Sequence, residues 1–72
     1  MNKNKFVSIM KLHGDTQESL AEAIGISFQR LNAKINQTNG AEFTMSEISA
    51  IKIRYNLTSQ EIDDIFFTVN VS

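Results

Sequence analysis

The segment FQRLNAKIN, Phe28 to Asn36, sets four side chains with hydrogen-bonding ends, Gln29, Arg30, Asn32 and Lys34, around two apolar ones, Leu31 and Ile35. Residues four apart share a helix face, so Leu31 and Ile35 turn toward a core. Phe28, Gln29, Arg30, Asn32, Ala33 and Lys34 are then left outside or lateral. A glutamine amide can pair with adenine through two hydrogen bonds, an arginine with guanine, and either cation with phosphate. The plainer alternative is a solvated polar face, which any amphipathic helix carries. Other chemistry has poorer support. The chain has one histidine, His13, and no cysteine, so no second histidine or cysteine exists to share a metal with it. His13 falls at an expected helix end, where a cation is favoured. Glu61, Asp63 and Asp64 fall early in an expected helix, where acids are favoured and solvated. No catalytic residue, cofactor or small-molecule ligand is expected.

The residues ahead of this segment must aim it. Thr16 can cap a helix in which Gln17 and Glu18 form the first turn and Leu20, Ala21 and Ile24 the apolar face. Gly25 supplies the positive φ with which helices commonly end. Ile26 plugs the turn and Ser27 caps the next helix. Ala21 is small enough to let the two helices approach closely. Thr16 to Asn36 therefore reads as a helix-turn-helix, a unit whose second helix enters the major groove of DNA.

The run Thr-Gln-x-x-Leu-Ala-x-x-x-Gly-Ile-Ser, from Thr16 to Ser27, resembles the Cro and repressor class (XRE-like) of phage helix-turn-helix regulators. Phe43 to Ile48, Leu57 to Ile62 and Ile65 to Phe67 extend the likeness to roughly residues 5–67. Within the class it is closest to the small Cro-like antirepressors of lactococcal temperate phages. The resemblance implies an all-α, compact five-helix, lambda-repressor-like domain acting on the lysis-lysogeny switch in the bacterial cytoplasm. It also implies that Gln17 and the loop from Asn36 to Gly40, with Asn39 in it, contact a sugar-phosphate backbone. Such contacts position a module without reading sequence.

Two features separate this chain from a plain operator reader. Phe28 stands at the leading exposed position of the second helix, where operator-reading members often carry a polar residue, and Ala33 offers no hydrogen bond. The charge balance is also acidic: seven basic and eight acidic residues give −1 and a pI near 5.7. An exposed aromatic can anchor a protein interface as well as touch a thymine methyl. Glu18, Glu22 and Glu42 would complement a basic partner surface. The leading expectation is therefore an antirepressor that docks its helix-turn-helix face onto the DNA-binding domain of the phage repressor and blocks operator binding. The alternative is autonomous binding to operator DNA. The expected interface is Gln17, Glu18, Glu22, Ser27, Phe28, Gln29, Arg30, Asn32, Ala33, Lys34, Asn36 and Asn39.

Seventy-two residues support one domain, read as residues 1–72, without room for a separate oligomerisation or cleavage domain. Without cysteine, helix packing alone must hold the fold, as suits a reducing cytoplasm. The apolar run from Phe6 to Met10 is too short for a signal peptide or membrane span. Residues 1–14 carry Lys3, Lys5 and Lys11 without an acid (+3), and residues 56–72 carry Glu61, Asp63 and Asp64 without a base (−3). Phe6, Ile9 and Met10 predict a first helix over about Asn4 to Leu12. Asn36 to Gly40 reads as a surface loop. Capping-box spacings at Thr44 and Thr58 predict helices from Met45 to about Tyr55 and onward from Ser59, with Ile48, Ile51, Tyr55, Ile62, Ile65 and Phe66 inward. Phe6, Phe43 and Phe66 are expected in the core, the methionines in the core or beside caps, and residues 68–72 as a flexible tail.

Overall fold

Each α-helix among the described residues starts on a side chain that satisfies the backbone it exposes, and those caps set the element boundaries. The computed structural model describes residues 1–67; the expected tail lies outside them. Among the described residues there are five α-helices and one short 3₁₀ turn, with no strand: α1 (Lys3–Leu12), α2 (Gln17–Ile24), α3 (Phe28–Asn36), the 3₁₀ turn (Thr38–Gly40), α4 (Met45–Tyr55) and α5 (Ser59–Phe66). Asn2, Thr16, Ser27, Thr44 and Thr58 each accept a hydrogen bond from a backbone N–H three residues on. The boxes at Thr44 and Thr58 are reciprocated by Glu47 and Glu61. At Thr16 the reciprocal partner is Ser19, a pairing the usual Glu or Gln spacing does not signal.

The α2–α3 connection is short because Gly25, at φ 78°, reverses the chain at once. The Ile26 N–H donates to Ala21 O at 3.0 Å and the Gly25 N–H to Glu22 O at 3.3 Å, the paired bonds of a Schellman stop. A side chain here would be strained by the positive φ alone, since nothing lies within 4 Å of the missing Cβ. After α3 the expected loop is a tight structure: Gln37 and Asn39 both take positive φ near 53° around the 3₁₀ turn.

One apolar cluster holds the helices together, contributed by Phe6 and Met10 of α1, Leu20 and Ala21 of α2, Leu31 and Ile35 of α3, Ile48, Ile51 and Tyr55 of α4, Leu57, and Ile62 and Ile65 of α5. Phe6, Phe43 and Phe66 meet as a triangle with centroids 5.4 to 5.8 Å apart. Phe43 and Phe66 are only half-buried, and Phe67 is exposed. Met10 is core; Met45, the first residue of α4, is mostly exposed beside its cap. The Asn2 N–H donates to Ile65 O at 2.6 Å and Lys5 pairs with Asp64 at 3.3 Å, so the two oppositely charged ends of the sequence lie against each other. The radius of gyration, 11.3 Å, is what a single compact unit of about this length has. No helix among the described residues is long and apolar enough to cross a membrane.

Candidate functional site

On α3 the i, i+4 spacing sorts the side chains into rows. Phe28, Asn32 and Asn36 form one row, Gln29 and Ala33 a second, and Arg30 and Lys34 a third, which borders the core residues Leu31 and Ile35. Phe28 is 45% exposed at the helix start, and Gln29, Arg30 and Asn32 are exposed. Ala33 is half-buried. Ser27 is exposed but its hydroxyl is occupied as the cap, accepting from the Arg30 N–H at 3.2 Å. On α2, Glu18 and Glu22 are exposed. Gln17 is half-buried in a crevice of about 200 Å³ with Val7, Met10, Lys11 and Asp15.

Asn36 is exposed and already engaged: its Nδ2 donates to Asn32 O and Oδ1, and its Oδ1 accepts from Lys3 Nζ at 2.5 Å. Lys3 thus joins the end of the Phe28 row from 33 residues away, which no local signal could reveal. Asn39 is exposed in the 3₁₀ turn.

Lys34 is buried rather than outward. Expected outside or lateral and available to phosphate, it is 6% exposed, with Nζ donating to both Glu47 oxygens at 2.5 and 2.6 Å. Glu47 also accepts the Thr44 N–H at 2.8 Å, so one carboxylate caps α4 and fastens α3 to it. Burial alone would raise the Glu47 pKa; the hydrogen bonds from Lys34 and Thr44 outweigh it, and the group sits below its ordinary value. The i, i+4 step from Arg30 put Lys34 on a flank, and its long apolar stem allowed that flank to be covered. The spacing Thr44 to Glu47 announced a cap, but not that the cap would also hold a lysine.

A second polar cluster lies where the α1–α2 turn meets the end of α4. Asp15 accepts from Arg54 Nε and Nη2, both at 2.7 Å, from the Tyr55 hydroxyl at 2.6 Å and from Ser19 Oγ at 2.8 Å. The His13 ring stacks on Tyr55 at 4.8 Å, and the four residues His13, Asp15, Arg54 and Tyr55 border a shallow cleft of about 180 Å³. The Arg54 hydrogen bonds, with help from Tyr55 and Ser19, hold the Asp15 carboxyl far below the usual carboxylate range despite its burial. Burial, then Asp15, pushes the Tyr55 hydroxyl up, so it stays protonated. An acid fixed as the anion and a phenol fixed as the neutral form, each spent on the other, exchange no proton near neutrality. The sequence patterns give neither Asp15 nor Arg54 a functional role.

No protein-family model, curated protein or solved structure matches this chain. Its functional reading therefore rests on the α2–α3 surface. On α2 and α3 themselves the exposed charges are Glu18, Glu22 and Arg30, two carboxylates against one guanidinium, with Lys34 neutralised inside and Lys3 of α1 bound at the Asn36 end.

Proposed function

We propose that α2 and α3 form a helix-turn-helix pair of the lambda-repressor type, and that the chain is a Cro-like phage regulator that modulates repression as an antirepressor. In this reading the α2–α3 face docks on the DNA-binding domain of the phage repressor and occludes it. The observation that carries it is the withdrawal of Lys34 into an ion pair with Glu47 while Phe28 stays exposed at the tip of α3. A surface meant for phosphate gains affinity from each cation it presents. This one keeps a single exposed cation on α2 and α3, Arg30, against two exposed carboxylates on α2 and an exposed aromatic on α3. That combination suits a basic protein surface with an apolar pocket: the aromatic supplies the anchor, the acids the orientation and on-rate.

The second reading, direct operator binding, draws on the exposed Gln29 and Arg30, whose base-reading ends make no hydrogen bond among the described residues; Asn32 is exposed as well, but its Oδ1 already accepts from Asn36 Nδ2. Fluorescence anisotropy separates the two. The antirepressor reading expects saturable binding to the labelled repressor DNA-binding domain, loss of that domain's operator complex as the protein is added, and weak binding to labelled operator alone. Tight operator binding with no repressor complex would favour the second reading and defeat the first.

A further inference from the structure

We infer that Glu47 is the specificity-determining residue of the α2–α3 surface: by holding Lys34 inside, it withholds from α3 the cation that would turn this surface toward nucleic-acid phosphate. The inference rests on the antirepressor reading of that surface and names how its partner preference is set. Arg30 and Lys34 occupy the same flank of α3, one turn apart, so an outward Lys34 would make a pair of adjacent cations there. What keeps it inward is one carboxylate. Glu47 takes both hydrogen bonds from Nζ, and the two side chains are 8% and 11% exposed.

A lysine ammonium without a counter-charge cannot stay at that depth, and its four-carbon stem lets the head reach water while the methylenes remain covered. The route exists: Lys34 borders an open groove of about 200 Å³ with Gln37 and Glu42. Glu47 is otherwise a helix cap, a duty that glutamine at the third helical position also performs. Its charge is therefore separable from its capping role.

The experiment compares the native chain, Glu47→Gln, and the double variant Glu47→Gln with Lys34→Gln, each titrated with a labelled 20-base-pair DNA duplex over a range of salt. Repressor-domain binding by the native chain is measured alongside. The slope of log affinity against log salt counts neutralised phosphates, at about 0.9 per phosphate on duplex DNA. Glu47→Gln is expected to steepen the slope by about 0.9, which is an additional loss of about 3.5-fold between 50 and 200 mM salt. The double variant should return to the native slope. An unchanged slope in a folded Glu47→Gln, as when Lys34 is recaptured by Glu42, overturns the inference. So does a double variant with a shallower slope than the native chain, since Lys34 would then already be touching phosphate. If Glu47→Gln does not fold, the double variant decides alone: an equal slope supports the inference and a shallower one overturns it. Absence of repressor binding by the native chain would strike the functional reading and leave the slopes to judge Glu47.

Discussion

The Asp15 junction and the leading, outward turn of α3 are both rich in hydrogen-bonding groups, and they treat them in opposite ways. At the junction, Asp15, Arg54, Tyr55 and Ser19 satisfy one another across three elements, with the Asp15 side chain only 7% exposed. On α3, Gln29 and Arg30 are exposed and make no side-chain hydrogen bond among the described residues, and Phe28 stands beside them half in water. Polar groups that consume one another hold a fold together and have nothing left for a ligand. Polar groups and an aromatic left in water by a chain that pairs its polar groups elsewhere are what a partner can use. Lys34 marks the border between the two regimes: it belongs to α3 by sequence and to the paired interior by contact.

On this division, substitutions on the paired side cost stability, and substitutions on the exposed side cost binding alone. The largest stability effect is expected from Lys34→Ala, which leaves the Glu47 carboxylate buried without its partner. A loss of about 3 kcal/mol is the scale for such a break, on the order of 15 °C in the melting temperature of a domain this small. A melting temperature within a few degrees of native would return Lys34 to the surface.

Asp15→Asn comes next. It removes the charge that holds Arg54 and weakens the acceptor of the Tyr55 hydroxyl, for about 2 kcal/mol by chemical denaturation. Partner binding by the folded variant should be unchanged. Acid should act on the same groups. Asp15 and Glu47 both have folded pKa values below their unfolded ones, so their contribution is complete above the usual carboxylate range. It drains away as pH falls from about 4 toward the folded values. Tyr55, with its pKa raised in the fold, contributes in the other direction: its share is complete below the unfolded value of about 10 and is lost as pH climbs past it. The Asp15→Asn variant should show a shallower acid limb than the native chain. Equal limbs would mean that Asp15 carries no linkage.

Smaller still, Thr58→Ala should remove one N-cap of α5, for about 1 kcal/mol, with no change in partner binding. At the bottom of the scale, Phe28→Ala should leave stability within about 0.5 kcal/mol of native, as expected of an exposed side chain.

The helices were legible in the sequence because their signals are local. Thr16, Ser27, Thr44 and Thr58 cap where their spacing says, and Gly25 stops α2 in the left-handed conformation. The core stripes of α3 and α4 fall on Leu31, Ile35, Ile48, Ile51 and Tyr55 as periodicity demands. Illegible were the contacts between residues distant in sequence. Lys34 meets Glu47 across 13 positions, Asp15 meets Arg54 across 39, and Lys3 meets Asn36 across 33. Nothing in the local pattern of a lysine on a helix flank tells whether a carboxylate will arrive to bury it. Within the candidate surface, Phe28, Gln29, Arg30 and Asn32 could be placed outward from spacing alone, whereas the fates of Lys34 and Asn36 depended on packing.

The most direct test of the account is a titration of Phe28→Ala against the labelled DNA-binding domain of the phage repressor, with the native chain as reference and melting curves recorded on both. Phe28→Ala should bind the repressor at least about tenfold more weakly, the loss expected for an aromatic anchor, with helicity and melting temperature unchanged. Native affinity for the repressor in the variant, above all if operator binding is lost instead, would contradict it.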